Sequence, residues 1–169
     1  TYNAFDTEVL SQNPATVTIT VDSANDAPVN TVPAAQLTSD TTPLVFDALN
    51  ANAIRIDDVD AGTGNLRLSL ATGAPANGSL TLANPGGLSS LIGNGTDQVV
   101  ATGTLSALNA ALNGTSGSLT YTPVVGTSAL RTITITTDDQ GNTGTGGPLV
   151  DVDTISVAVD APPSVSSTP

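Results

Sequence analysis

"DVDTISVAVDAP", residues 151–162, decides how this chain folds. Ile155, Val157 and Val159 alternate with Ser156 and Ala158, the period of two that turns one face of a strand to a core and the other to solvent. The same alternation runs through Leu66, Leu68 and Leu70 with Arg67 and Ser69 between them, and through Ile133 and Ile135 among threonines. It recurs in "ATVTITV" (15–21) at Val17, Ile19 and Val21. Further strands are expected at 30–37, 43–48, 53–56, 78–83, 97–102 and 117–122, separated by Gly, Pro and Asn clusters. The whole reads as an all-β antiparallel sandwich of about eight or nine strands.

One stretch departs from that period. In "TLSALNAALNG" (104–114), Leu105, Leu108 and Leu112 fall at helical spacing. Thr104 is placed to cap the start, and Asn113-Gly114 to end the helix in the left-handed conformation. A short helix packed on a sheet edge is expected; the alternative is a loop with incidental leucines.

The opening stretch also has an echo. "NPATVTITVDSANDAPVNTVP" (13–33) and the segment from 151 to 169 both read as a strand, then Asp-Ala-Pro, then a polar stretch ending in proline. The echo sets a domain at 27–160. It is preceded at 1–26 by the last strand and linker of an earlier repeat, and followed at 161–169 by a linker or the start of the next. Tandem repeats are implied, and 169 residues suffice for one core without disulfides. Neither end has the pattern of a signal peptide, no apolar run is long enough for a membrane span, and no initiator Met is present; the chain reads as a fragment or mature segment.

Composition narrows the function. Fourteen Asp and one Glu face three arginines (Arg55, Arg67, Arg131) with no Lys or His, a formal charge of −12. Asp suits turns, strand ends and oxygen-ligand loops, whereas Glu suits helix surfaces. Three cations release few phosphate counter-ions, and an anionic membrane face repels such a surface, so nucleic acid and direct membrane insertion are not expected. With no Cys or His there is no thiol nucleophile and no soft metal site. Acid–base work would fall to paired carboxylates, yet the only aromatics are Tyr2, Phe5, Phe46 and Tyr121, and no Glu is set beside an aromatic pocket. Catalysis is not expected. "GNTGTGG" (141–147) lacks the following helix and Lys of a phosphate cradle and reads as a flexible hairpin connection. "NGS" at 77 and "NGT" at 94 and 113 match glycosylation acceptors, but Asn-Gly more plainly marks turns and helix ends. Tyr121 is expected in the core.

Three acidic or glycine-rich stretches and one helical stretch resemble a known family. "NDAPV" (25–29), "DVDAGTGN" (58–65) and "TDDQGNTGTGG" (137–147) are similar to the linker, the Asp-x-Asp loop and the Asp-x-Gly turn of cadherin-like repeats. With "GTLSALNAALNG" and "LTYTP" they resemble the tandem extender repeats of large bacterial surface adhesins of the repeats-in-toxin type, over nearly all of 25–160. The resemblance implies an immunoglobulin- or cadherin-like antiparallel β-sandwich with one short helix, at the bacterial cell surface or outside the cell. In that topology 57–62, 138–141, Asp151, Asp153 and the linker residues Asp22, Asn25 and Asp26 share one pole, where nine of the aspartates meet. Like charges so crowded need a counter-ion, and Arg55 is the only local cation. Calcium, a hard cation taking six to eight oxygens, suits the donors present.

By the same resemblance Asp58 and Asp60 would ligate Ca2+ directly, Asp139 would reach it from the turn, and Asn25 and Asp26 would join from the linker, with Asn65 in second rank. The alternative is that these are turn-forming aspartates capping loops in water. Two departures stand out: Ser23 occupies a place where the family linker carries Asp, and Asp40 stands alone at the far pole where a Glu-Asp pair is common. The exit linker also lacks Asn-Asp, which argues against a second calcium cluster there. The implied function is a calcium-rigidified extender of an adhesin or biofilm matrix protein, its partners being neighbouring repeats. The alternative is a self-assembling fibre subunit joined to copies of itself by strand donation through 15–21. A carbohydrate-binding module is disfavoured by the scarcity of aromatics for sugars to stack on.

Overall fold

A computed structural model describes residues 16–113 and 118–161. In chain order the strands are β1 (Val29–Thr31), β2 (Gln36–Ser39), β3 (Leu44–Phe46), β4 (Arg55–Asp57), β5 (Asn65–Ala71), β6 (Ser79–Leu82), β7 (Ser90–Ile92) and β8 (Gln98–Thr104). The helix α1 (Leu105–Asn113) follows, then β9 (Leu119–Thr122), β10 (Ala129–Asp138) and β11 (Val150–Asp160).

The alternating segments make the larger sheet, in the order β2-β11-β10-β5-β8-β7. β10 and β11 pair antiparallel from Ala129↔Val159 to Asp138↔Val150. That register turns Ile133, Ile135, Ile155, Val157 and Val159 inward, each no more than 3% exposed. Leu66, Leu68 and Leu70 of β5 join them from the same sheet. Opposite stand β3-β9-β6 and the β1-β4 pair, supplying Phe46, Ile56, Leu80, Leu119 and Tyr121 to one core. Tyr121 is fully buried as expected, and its hydroxyl donates to the Asn77 carbonyl at 2.6 Å, so its one polar atom is satisfied. Among the described residues the fold is an all-β sandwich with one α-helix.

The helix forms where its spacing places it, with Leu108 and Leu112 buried and the Thr104 hydroxyl accepting from the Ala107 N–H at 3.3 Å. Its polar face has a task that periodicity does not reveal. Asn109 lies against β4, its Oδ1 accepting from the Ile56 N–H at 3.0 Å and its Nδ2 donating to the Ile56 carbonyl at 2.8 Å. Asn113 donates to the Ile54 carbonyl. A side-chain amide thus stands in for the missing neighbour of a strand whose other edge pairs with β1. Asn94 treats β6 likewise, accepting from the Leu82 N–H at 2.8 Å and donating to the Leu82 carbonyl at 3.2 Å. Asn77, the third Asn-Gly asparagine, spans Thr72 and Arg131 at 2.7 Å each. All three asparagines therefore serve the fold from turns or a helix end.

Three expectations are corrected. The single strand at 30–37 is two strands: β1 pairs with β4, and β2 pairs with β11 in parallel. Pro33 lies between them and lacks the N–H that an unbroken ladder needs, so the chain changes sheets there. That parallel pairing also qualifies the antiparallel expectation. β7 is an additional edge strand. Residues 16–22 form no strand, although the alternation is present: Val17, Ile19 and Val21 are 67%, 82% and 87% exposed. Periodicity marks a segment that could line a core, but here no core is offered to it. The rest of the expected segment at 1–26 lies partly outside the described residues, as does all but the first residue of 161–169.

Candidate metal centre at the acidic pole

Loop 58–64 between β4 and β5, loop 139–149 between β10 and β11, and the incoming chain at 22–28 meet at one end of the sandwich. Asp139 sits at the base, fully buried. Its Oδ1 accepts from the Gly141 and Leu149 N–H groups at 2.7 and 2.8 Å, and its Oδ2 accepts from Asn25 Nδ2 at 2.6 Å. Burial pushes its pKa up, but the two backbone donors and Asn25 outweigh that and hold it below the usual carboxylate value. Both oxygens of Asp139 are occupied, so it positions its neighbours instead of presenting a free oxygen.

What it positions is Asn25. With Nδ2 shared between Asp139 and the Gly147 carbonyl at 3.1 Å, the Asn25 amide is held with its Oδ1 as the remaining acceptor, and that atom is buried without a hydrogen-bond partner. Asp58 Oδ2 and Asp60 Oδ1 are in the same condition. Asp60 Oδ2 accepts from the Asp26 N–H at 3.0 Å, and Asp58 Oδ1 accepts from the Asp60 N–H at 3.1 Å. Burial first, and then the neighbouring Asp60, push the Asp58 pKa up. These three unpartnered oxygens lie on the linker and the loop that meet at this pole and are hard donors of the type calcium takes; Asp40 Oδ1, at the far pole, is unpartnered too. Among the described residues no group of three or more His, Cys, Asp or Glu side chains is placed to hold a metal ion.

The other candidates lie elsewhere. Asp26 joins through its backbone N–H, its residue being exposed. Asn65 stands apart: its Oδ1 meets the Ser89 hydroxyl at 3.4 Å, while its carbonyl accepts from Gln140 Nε2 and Asn142 Nδ2 at 2.9 and 2.8 Å. Asp57 forms a surface pair with Arg55 at 2.6 Å, whose hydrogen bonds hold its pKa down. Asp151 fastens β1, accepting from the Asn30 N–H at 2.6 Å. At the far pole Asp40 is 4% exposed, with Oδ2 accepting from the Gly126 N–H at 2.6 Å. A cavity of about 490 Å³ near that end is lined by Pro75, Thr96, Asp97, Pro123 and Val124 among others, without an arginine or aromatic side chain.

"GNTGTGG" is corrected from a flexible connection to a fixed loop. Its base is closed by the Asp139 N–H on the Leu149 carbonyl at 3.1 Å, Gln140 and Asn142 bind the Asn65 carbonyl, and the Thr143 hydroxyl donates to the Asp60 carbonyl. Spaced glycines mark a loop; they do not say what it touches.

The two perturbed carboxylates pull stability in opposite directions with pH. Asp139, with a lowered folded pKa, contributes stability that is present above the unfolded carboxylate value and lost as pH falls through the folded one. Asp58, with a raised folded pKa, costs stability in full above that folded value, and the cost shrinks as pH falls through it and vanishes at the unfolded carboxylate value. In chelator at about pH 7, Asp58→Asn should therefore melt higher than the parent, and the gap should close towards about pH 4. Parallel melting curves across that range would contradict a half-buried Asp58 with its Oδ2 unpartnered.

No family model and no curated protein matches this chain. Among solved structures it is similar to AggA, the major subunit of aggregative adherence fimbriae type I from Escherichia coli, at 11% identity and a TM-score of 0.43. The match covers 85% of this chain and all of that one. A likeness this distant says nothing about function. No helix among the described residues is long and apolar enough to cross a membrane.

Proposed function

We propose that this chain carries a calcium-stiffened spacer module of an extracellular adhesive or matrix protein, in which such sandwiches follow one another head to tail. The observation that carries the reading is the set of unpartnered oxygens on Asn25, Asp58 and Asp60: one belongs to the incoming linker and two to the sandwich. A cation held by all three ties linker to domain. Asp139 orients Asn25, and Asp26 adds a backbone tie through Asp60.

The course of the chain supports it. Residues 25 and 26 dock at the acidic pole, whereas β11 runs away from that pole and ends where the Asp160 carbonyl accepts from the Asp40 N–H at 3.1 Å. Entrance and exit are thus at opposite ends, about 35 Å apart for an 11-residue strand. Through the sequence echo, Val17, Ile19 and Val21 correspond to Ile155, Val157 and Val159, which in β11 are 1%, 0% and 3% exposed. Segment 16–21, which forms no strand here, therefore carries the residue pattern of β11, a pattern suited to a preceding sandwich.

The same exposed segment favours a second reading, a fibre subunit donating 15–21 to a neighbouring copy. In each copy, however, the slot for a β11-type strand is already filled by β11 itself, between β10 and β2. Light scattering of the full chain and of a chain lacking 1–21 separates the two. The spacer reading expects monomers in both and nearly unchanged melting; large assemblies that vanish on truncation would overturn it.

A further inference from the structure

We propose that the glycine-rich loop 141–147 is a clasp that fixes the direction of the incoming chain without any metal. The inference deepens the spacer reading by naming what the loop binds: the backbone of the linker that arrives from a preceding sandwich. Thr145 is the centre of the contact. Its N–H donates to the Ser23 carbonyl at 2.7 Å and its carbonyl accepts from the Asn25 N–H at 3.0 Å, a parallel bridge across Ala24. The Thr145 hydroxyl also donates to the Ser23 carbonyl at 3.3 Å, and Gly147 accepts from the Asn25 side chain.

Such close backbone approach requires glycine at 144. Its φ is +99°, and a Cβ there would lie 2.5 Å from the Ala24 carbonyl carbon and 2.6 Å from the Asn25 nitrogen. Neither obstacle is the end of a flexible side chain, so a larger residue displaces the linker. The loop is itself pinned by Asp139, the Asn65 carbonyl and the Asp60 carbonyl, and a clasp needs that fixed base. Of the residues at the pole, the clasp uses the backbone of Ser23 to Asn25, while the cation would use the side chains of Asn25, Asp58 and Asp60. The two ties are separable: removing calcium leaves the clasp closed, and the linker keeps its direction.

Amide hydrogen exchange of the full chain in excess chelator tests this. The Asn25 and Thr145 amides should exchange at least about tenfold more slowly than unstructured amides, and Gly144→Val should abolish that protection. Ile135 and Val157 should stay protected in the variant, reporting an intact sandwich. Thr145→Pro, which removes the N–H bonded to Ser23, should free Asn25 in the same way should Gly144→Val fail to fold. Unprotected Asn25 and Thr145 in the chelated parent, or protection surviving in the folded variants, would overturn the clasp. Failure of calcium to bind would sink the calcium reading and leave this result standing.

Discussion

Millimolar calcium is expected to raise the melting temperature of this chain by roughly 10 °C over its value in chelator. A cation that binds the folded pole and not the dispersed carboxylates of the unfolded chain stabilises by about 2.7 kcal/mol at one hundred times its dissociation constant, and each kcal/mol moves a domain of this size by roughly 3–5 °C. Replacing Asp58 and Asp60 together with Asn should remove most of the gain, because two of the three unpartnered oxygens lose their charge. Asp97→Asn should not. Asp97 lines the cavity remote from the acidic pole, and its carbonyl takes the Thr72 N–H at 2.9 Å. Equal losses from both replacements would mean general relief of the −12 charge, with no site.

The second large effect is expected at Asn109. Truncation to Ala leaves both the N–H and the carbonyl of Ile56 without a protein partner at a fully buried residue. A buried backbone group so orphaned costs about 1–3 kcal/mol, so the loss should reach roughly 3 kcal/mol, a fall of about 10 °C in thermal denaturation. Asn109→Asp should recover only the half of the interaction that accepts from the N–H, since a carboxylate has no donor for the carbonyl. Melting within about 1 °C of the parent in Asn109→Ala would show that the helix seals β4 through packing alone.

Much of this fold is legible from side-chain period. Strands β5, β10 and β11 announce themselves because a sheet with one face buried imposes alternation residue by residue, and α1 because Leu105, Leu108 and Leu112 share a helical face. Pairing partners leave no such local mark: nothing in 29–39 says that its first half joins β4 and its second half β11. Asn109 is equally silent, because an asparagine that completes a strand edge has the same neighbours in sequence as one facing water. At the pole, the meeting of the linker with the two acidic loops is what the resemblance to cadherin-like repeats implies, and the structure hydrogen-bonds Asn25 to Asp139 and Asp26 to Asp60. Which oxygens stay free does not follow from the resemblance. Asp139 Oδ1 takes two backbone donors that only the closed loop supplies and its Oδ2 takes the Asn25 side chain, while the side chain of Asn65 is turned towards Ser89. The role of Gly144 becomes visible only once Ala24 is seen against it.

The central claim, that one cation joins the incoming linker to the sandwich, is tested most directly by following backbone amide resonances through a calcium titration. The account predicts saturable shifts concentrated at Asn25, Asp26, Asp58 and Asp60, with β6 and the Asp97 turn unmoved. Shifts that never saturate, or that spread evenly over the aspartates of both poles, would contradict it.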